Sequence, residues 1–240
     1  MKLKKISVII AAYNEEPRIG EVLKAVERHP LIDEVIVIND GSADKTAEVV
    51  KKYHVTLVEN EKNIGKTLSV KRGVNLAKND LIMLLDADLV GIDEKSLTAL
   101  AKPVLDGDVD WSLSIRKNSI WHMKLLQMDW ISGERVLPKQ LLADPLIWSR
   151  PEVGFGLETL MNKSLLDRRK KFRAVYLPDV EIINKSKKIG FYRGWLSELK
   201  MVRQIGKVMP FHMIIFQYFR MAYLNRKYKK TSQRLKYREA

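Results

Sequence analysis

The sequence predicts an α/β fold in which a mostly parallel central sheet is flanked by helices. Short apolar runs rich in Ile and Val alternate with segments whose apolar residues recur at helical spacing, which is the pattern of repeated β-α-β units. Residues 81–85 are apolar at every position, as a central parallel strand covered on both faces requires. At 240 residues the chain is long enough for one such domain with an appended region.

The strands of the first half are predicted from β-branched and apolar runs, and they lie at residues 6–12, 34–39, 55–58 and 81–88. Between them, apolar residues at helical spacing predict helices that begin near Pro17, near Ala47 and at Lys66. Ligands of open α/β sheets bind at the carboxyl ends of the strands. The residues that follow each strand are therefore the candidates for a site.

The pattern is looser in the second half. It predicts a helix near residues 96–105, a strand near residues 109–115 and a helix that begins at about Gly156. Short strands are expected at residues 174–177 and 180–183. The chain has no internal repeat and no low-complexity linker, so we expect these elements to belong to the same domain.

The composition excludes some chemistry. The chain has no cysteine, which excludes disulfides and thiolate catalysis and agrees with a reducing compartment. The apolar run at residues 6–12 follows a basic start, but it is too short for the core of a secretion signal plus a cleavage site. We therefore expect a buried first strand and a cytoplasmic protein.

Positive charge is concentrated at the end of the chain. Of the 43 Lys and Arg residues, 15 follow residue 184, where only two acidic residues occur, so this part carries a net charge of +13 and the rest +1. Such a block suits anionic lipid head groups or nucleic acid, or it is a solvated tail. Nucleic acid is not the expected partner, because no recognised nucleic-acid-binding module surrounds the block.

Apolar residues within this basic region favour contact with a membrane surface. Residues 191–202 place Phe191 and Trp195 on one face of a basic helix. Residues 208–224 are rich in aromatic and aliphatic side chains but include Arg220, so we expect them to lie in the interface rather than to cross the bilayer. The alternative is a C-terminal helix packed on the domain core, followed by a solvated basic tail.

Acidic residues follow two of the predicted strands. Asp86 and Asp88 end the fourth strand, where regular pleating places both on the same side. Paired buried acids repel and need a cation, and oxygen ligands favour Mg²⁺ or Mn²⁺ shared with substrate phosphates; alternatively, they are solvated acids of a turn. Asp40 follows the second strand and either accepts hydrogen bonds from a nucleotide or caps the next helix. Asn14 and Glu15, after the first strand, have the same ambiguity.

The ordered motifs VIIAAYNEE, VINDGSADKT, NIGK and LLDAD resemble those of the family 2 glycosyltransferases, which have the GT-A fold. The resemblance is strong over residues 1–90 and looser over residues 132–158. It implies an inverting transfer from a nucleotide diphosphate sugar, assisted by a divalent cation. Family members commonly have Asp-Asp-Gly-Ser where this chain has Asn39-Asp40-Gly41-Ser42, a difference that leaves Asp40 in place.

The resemblance also implies a set of residues that bind the donor. Asp40 would hold the base, and Lys66 would face the phosphates. Asp86 and Asp88 would bind the metal, and Arg135 would pair with a phosphate. The complete implied set is Ala11, Tyr13, Glu15, Asp40, Lys66, Asp86, Ala87, Asp88, Gly133 and Arg135.

A third metal ligand is not evident in the sequence. Relatives often supply one, frequently His, at positions that correspond to residues 180–188. This chain has no His there, since its four histidines are His29, His54, His122 and His212. Asn184 is a weak substitute, so the third ligand stays open.

Gly156-Leu157-Glu158 resembles the later acidic motif of the family, whose carboxylate can act as general base on an acceptor hydroxyl. Glu158 is therefore the candidate catalytic residue. The alternative is a Glu at a helix start that interacts with the helix dipole. If the acceptor is already a phosphate, no base is needed and Glu158 only positions it.

These observations predict a GT-A domain at residues 1–188, with a nucleotide-binding half at 1–90 and an acceptor half at 91–188, followed by a basic amphipathic helical region at 189–240. We expect a peripheral enzyme on the cytoplasmic face of a membrane that moves a sugar from a UDP- or GDP-sugar to a lipid-linked or other membrane-associated acceptor, as in cell-envelope glycan biosynthesis.

Three alternatives remain for the function, and a fourth is disfavoured. The acceptor is a polyprenyl monophosphate, or it is a soluble molecule. In a different class, the chain is a non-catalytic scaffold that binds nucleotide sugars at a membrane. A nucleotidyltransferase would need a glycine-rich loop after the first strand, and residues 11–17 contain no glycine.

Overall fold

The structure is a computed structural model that describes residues 5–152, 156–183 and 206–236. Its strands, in chain order, are β1 (Ile6–Ala12), β2 (Ile32–Asn39), β3 (Thr56–Glu59), β4 (Leu81–Asp86), β5 (Leu89–Val90), β6 (Trp111–Arg116), β7 (Arg135–Pro138), β8 (Phe172–Leu177) and β9 (Glu181–Ile182). Its α-helices are α1 (Ile19–Val26), α2 (Thr46–Val50), α3 (Lys66–Leu76), α4 (Glu94–Leu105), α5 (Trp121–Leu125), α6 (Gly156–Asp167) and α7 (Phe211–Lys236). Two 3-10 helices lie at Lys139–Ala143 and Pro145–Trp148.

Seven strands form the central sheet in the order β3-β2-β1-β4-β7-β6-β8. The first four in this order are parallel to one another, and β6 is parallel to β8. Strand β7 is antiparallel to both of its neighbours, β4 and β6. The predicted α/β fold with a mostly parallel sheet is therefore confirmed.

The register of the parallel strands fixes the edge at which a ligand would bind. Ala12, at the end of β1, pairs with Asn39, at the end of β2. Ala11 pairs with Asp86, at the end of β4. The carboxyl ends of these three strands therefore lie side by side, and the polar residues that follow them meet at one edge of the sheet.

Both faces of the sheet are covered by apolar side chains. Even-numbered residues of β1, such as Val8, face a core shared with α1 and α4, whereas Ile9 faces a second core shared with α3, α6 and α7. This double burial explains why β1 and β4 are apolar at nearly every position rather than alternating.

Several predicted boundaries needed correction. The fourth strand ends at Asp86 rather than Asp88, because Ala87 and Asp88 form a turn that leads into β5. The third strand occupies Thr56–Glu59, one residue later than expected. Strands β5 and β7 had not been predicted at all. The helix expected at residues 191–202 and the residue Asn184 lie outside the described residues.

Helix α7 packs on the domain. Met221 and Ala222 are buried against the core, and the side chain of Asn225 accepts a hydrogen bond from the Ala174 amide at 2.9 Å and donates one to the Gln127 carbonyl at 2.9 Å. One face of the C-terminal helix therefore belongs to the core, as the packing alternative predicted. Within the described ranges, no helix is both long enough and apolar enough to cross a bilayer.

Helix α3 lies close to β1 because Gly73 has no side chain. A Cβ atom at this position would stand 2.5 Å from Cγ2 of Ile9, which is a buried core residue. The contact sets the distance between α3 and the sheet, and α3 carries Lys66 at its first position.

We expect Gly73→Ala to destabilise the protein by about 1–3 kcal/mol, because the cost of overpacking exceeds the gain in helix propensity of roughly 0.5–1 kcal/mol. Urea denaturation followed by circular dichroism measures the change. The matched control is Gly206→Ala, whose added Cβ meets no atom within 4 Å. Equal stability of the two variants would contradict close packing of α3 on β1.

Candidate active site

Lys66 joins two carboxylates at the carboxyl edge of the sheet. Its Nζ donates to Oδ1 of Asp86 at 2.7 Å and to Oε1 of Glu158 at 2.7 Å. Asp86 ends β4 and Glu158 lies in the first turn of α6, so one ammonium group connects two consecutive elements, α3 and β4, to the distant α6. The structure thus brings together three of the residues that the sequence singled out.

The charges of this triad depend on one another. Burial alone would lower the pKa of Lys66, but the carboxylates of Asp86 and Glu158 outweigh burial and raise the pKa of Lys66 above its usual value. Burial alone would raise the pKa of Asp86, but Lys66 and then Arg116 outweigh it and hold the pKa of Asp86 below its usual value. Lys66 and Asp86 are therefore both charged at neutral pH.

Glu158 combines burial with unused hydrogen-bonding capacity. Only 4% of the residue is exposed. Its Oε1 accepts from Lys66, whereas Oε2 is buried and accepts no hydrogen bond from the described residues. A buried carboxylate oxygen without a donor is costly, so Oε2 has unused capacity to accept a hydrogen bond.

Gly133 allows the backbone to approach Asp86 closely. A Cβ atom on Gly133 would stand 2.6 Å from both carboxylate oxygens of Asp86. Any other residue would displace the carboxylate from this position. The absence of a side chain at Gly133 is therefore a condition for the geometry of the triad.

A buried charged network, which we call the Arg116 network, lies beneath this loop. Arg116 contacts Asp129 at 3.1 Å and Glu134 at 3.5 Å. Ser132 and Ser114 donate to the same oxygen of Glu134. Burial raises the pKa of Glu134, Asp86 adds to this rise, and Arg116 offsets it only in part. The network fixes the residues on either side of Gly133.

The sequence analysis did not identify the Arg116 network, although a signal exists. Strand β6 reads WSLSIR, so Ser112, Ser114 and Arg116 occupy every second position of a buried strand. Polar residues that recur on one face of a buried strand must have polar partners, and this periodicity would have indicated the network.

Pairing of Arg135 with a phosphate stays a prediction, and the structure gives this residue other partners. Arg135 is completely buried, and its guanidinium donates to the carbonyls of Ser132 and Trp130 and to the side chain of Asn162. Burial lowers the pKa of Arg135 to about 10, which the surrounding carboxylates only partly offset. The side chain holds the loop that precedes β7, and Glu158 and Asp86 are among the carboxylates whose charge acts on it.

Asp40 is engaged with the loop between β3 and α3. Its Oδ1 accepts from the Asn60 side chain at 2.8 Å and from the Ile64 amide at 2.9 Å, and its Oδ2 accepts from the Gly65 amide at 2.9 Å. Gly65 is the N-cap of α3, so Asp40 positions the residue that precedes Lys66. Contact with a base stays a prediction for Asp40.

The other implied donor residues lie along the same edge. Tyr13 is 48% exposed, Ala11 and Glu15 are partly exposed, and Ala87 is buried in the turn between Asp86 and Asp88. Asp88 is partly exposed. Across the described ranges, no group of three His, Cys, Asp or Glu residues is arranged to hold a metal ion. Asp86 and Asp88 could therefore supply only part of a coordination shell.

Comparison with known proteins identifies relatives of this chain. The sequence profile described as Glycosyl transferase family 2 matches residues 7–155, more than half of the chain. The 4,4'-diaponeurosporenoate glycosyltransferase of Staphylococcus aureus strain USA300 is 35% identical over 102 residues, which are 40% of this chain and 27% of that protein. The protein of strain MRSA252 is 36% identical over the same span. The chain thus spans about a quarter of the length of these curated relatives.

Solved structures share the fold. Glucosyl-3-phosphoglycerate synthase from Mycobacterium tuberculosis, in complex with Mn²⁺, uridine diphosphate and glucosyl-3-phosphoglycerate, superimposes with a TM-score of 0.66 at 21% identity, covering 85% of this chain and 80% of that one. The same enzyme with Mg²⁺ and uridine diphosphate gives a TM-score of 0.66 at 22% identity, covering 84% and 76%. These findings confirm the predicted GT-A fold.

We expect Lys66→Met to destabilise the protein by about 1–3 kcal/mol at pH 7, a range discounted for a side chain that is one-third exposed. The ordinary pKa of Asp86 is 3.8 and the folded-state pKa lies below it. The stability supplied by the contact is therefore fully present above about pH 4 and is lost as the pH falls through the folded-state pKa.

The difference between Lys66→Met and wild type should consequently shrink below about pH 4, where the carboxylates become protonated. Urea denaturation at a series of pH values measures it. Lys163→Met is the matched control, because Lys163 pairs with Asp167 on the surface and its loss should cost less than about 1 kcal/mol. A deficit in Lys66→Met that is the same at pH 3 and pH 7 would exclude the ion pairs as its cause.

Proposed function

Because the chain belongs to glycosyl transferase family 2, we propose that it transfers a sugar, with inversion, from a UDP- or GDP-sugar to a lipid-linked or other membrane-associated acceptor. The observation that carries this proposal is the Lys66 triad. The Lys66 ammonium contacts both Glu158, the candidate base, and Asp86, the first acid of the Asp86-Ala87-Asp88 (D-x-D) motif. Donor-binding and acceptor-activating residues thus occupy one edge of the sheet.

The donor would lie along the carboxyl edge of β1, β2 and β4. Tyr13 is exposed there and would offer a ring face to a base, with Glu15 two residues further on, whereas Asp40 would position the loop before Lys66. The synthase that shares the fold binds uridine diphosphate, which favours UDP over GDP. Lys66 would meet the diphosphate from the start of α3.

The residues of this edge fit a divalent cation in part. Asp86 and Asp88 present hard oxygen donors, and a diphosphate would complete the shell, which is the usual arrangement for Mg²⁺ or Mn²⁺. The synthase that shares the fold binds Mn²⁺ or Mg²⁺. When bound, the cation would offset negative charge on the departing nucleotide. Gly133 keeps the Asp86 carboxylate in the position that this role requires.

Lys66 links donor binding to the base. In the structure its ammonium is shared by Asp86 and Glu158. A diphosphate at this edge adds a stronger anionic partner, so Lys66 would move toward the phosphates and its contact with Glu158 would weaken. The Glu158 carboxylate would then accept the proton of the acceptor hydroxyl as that oxygen attacks the sugar.

Two other kinds of acceptor would change the role of Glu158 or the need for a membrane. A polyprenyl monophosphate is already a nucleophile, so Glu158 would only position it. A soluble acceptor would make activity independent of membranes and of the chain after Lys188. The soluble phosphoglycerate bound by the synthase that shares the fold shows that such an acceptor suits this architecture in that enzyme. A non-catalytic scaffold would bind the donor without turnover.

We expect titration calorimetry to detect binding of one of UDP, GDP or their sugar conjugates, with affinity that depends on Mn²⁺. Asp88→Ala should abolish the metal-dependent part of binding. Gly133→Ala should weaken it at least about tenfold, because the new Cβ displaces the Asp86 carboxylate. The control is Asp167→Ala, which removes a surface carboxylate. If no nucleotide or nucleotide sugar binds, the proposal of an active glycosyltransferase is wrong.

We expect Glu158→Gln to lower the rate of transfer by about 10²–10⁴-fold without weakening donor binding, because the amide cannot take the hydroxyl proton. Nucleotide release from the donor, with total lipid of the source cells as acceptor, measures the rate. A variant as active as wild type would point instead to a phosphate acceptor. Wild-type protein that binds the donor but releases no nucleotide with lipid or soluble acceptors would favour the scaffold.

A further inference from the structure

Helices α5 and α7 share an exposed apolar surface. Its six large side chains are 43–73% exposed, and we call them the α5–α7 surface: Trp121, Leu125, Ile215, Phe216, Phe219 and Tyr223. Soluble monomers rarely expose so many large apolar residues together, and such patches mark sites of interaction.

The two helices form one continuous surface. The phenol group of Tyr218 contacts Nδ1 of His122 at 3.0 Å, and Arg226 donates to the Leu125 carbonyl at 3.4 Å. The Trp121 ring contacts the His122 ring, and the Tyr218 ring contacts the Phe219 ring. Trp121 and Phe219 therefore lie on either side of the same His-Tyr contact.

The fold does not account for this exposure. The inner face of α7 already packs on the core through Met221 and Ala222. Ile215, Phe219 and Tyr223 recur at intervals of four residues, so they line a second, outer face of the same helix. An apolar outer face on a helix whose inner face is satisfied requires a partner.

Charge indicates what this partner is. Lys124 and Lys229 are exposed beside the surface and line a cavity of about 420 Å³ together with Tyr176. The chain after residue 184 has 15 basic and two acidic residues. Aromatic and aliphatic side chains bordered by lysines match a bilayer interface, where apolar groups enter the acyl region and cations meet head-group phosphates.

The cavity lies at the same edge of the sheet as the triad. Ile115 lines it and immediately precedes Arg116, at the end of β6. Both β4 and β6 are antiparallel to β7, so they point the same way and Asp86 and Arg116 end at one edge. A bilayer touching α5 and α7 would therefore lie near the edge at which an acceptor is used.

We propose that the α5–α7 surface docks on an anionic lipid bilayer, with Trp121 and Leu125 of the acceptor half entering the interface beside α7 and with Lys124 and Lys229 at head-group phosphates. This rests on the proposed function, in which the acceptor is membrane-associated, and it assigns membrane contact to α5 as well as to the basic C-terminal region. Helix α7 lies in the plane of the interface.

The experiment is co-sedimentation of the full chain with vesicles of phosphatidylcholine alone or mixed with phosphatidylglycerol. We expect binding to the mixed vesicles and at least about tenfold weaker partitioning for the double variant Trp121→Gln/Leu125→Gln, which removes two apolar groups from the interface. The matched control is Leu76→Gln, since Leu76 is 49% exposed at the end of α3, away from this surface. Circular dichroism confirms that each variant is folded.

The charged part of the proposal has its own test. Lys124→Gln/Lys229→Gln should weaken binding to the mixed vesicles several-fold, and raising the ionic strength from about 0.1 M to 1 M should weaken the wild type, because the Debye length falls from about 10 Å to 3 Å. Binding that is equal on both kinds of vesicle and insensitive to salt would overturn the choice of an anionic membrane.

Two outcomes would overturn the docking surface itself. One is Trp121→Gln/Leu125→Gln protein that sediments with vesicles as wild type does. The other is wild-type protein that does not bind vesicles but is a dimer in sedimentation velocity, while the variant is a monomer. The partner of the surface would then be a second copy of the chain. Calorimetry with UDP runs in parallel, so vesicle binding without nucleotide binding would support the surface while rejecting the proposed function.

Discussion

The site depends on one cation placed between two buried carboxylates. A parallel sheet gathers the ends of its strands at one edge, and in this chain those ends carry acids. Without Lys66, Asp86 and Glu158 would face each other across a poorly solvated gap and would repel. The Lys66 ammonium offsets the repulsion between the two carboxylates. Its two contacts connect the start of α3 to β4 and to α6. Asp40 and Gly73 serve the same arrangement, because they fix the position of α3.

The Arg116 network supports the contacts that Lys66 makes with Asp86 and Glu158. Arg116 pairs with Asp129 and Glu134 below the loop that brings Gly133 against Asp86. Buried ion pairs add little net stability, but they penalise every alternative arrangement in which a partner is lost. The loop is therefore held in one position by electrostatics and by the lack of room for a side chain. Rigid support of this kind is what a site for a charged ligand needs.

The sequence predicted the parts of the fold that repeat one local pattern. The β-α-β units up to Asp86 follow from apolar periodicity, and the resemblance to the family 2 glycosyltransferases placed Lys66, Asp86 and Glu158 among the candidates. It did not reveal that a single ammonium joins them, since Lys66 and Glu158 are 92 positions apart in the sequence. Strand β7 was not predicted because it begins with Arg135 and ends with a proline. A guanidinium inside a sheet needs a buried polar partner such as Asn162, and the sequence does not reveal that contact.

The position of β7 also bears on the order in which the molecule assembles. Strands β1 to β4 already pair with one another within the first 86 residues, so this half of the sheet can form while the rest of the chain is still being synthesised. The free edge of β4 stays open until residues 135–138 are inserted antiparallel beside it. During that interval the nascent protein exposes an unpaired, apolar strand, which is the feature of a folding intermediate that invites aggregation and binding by chaperones.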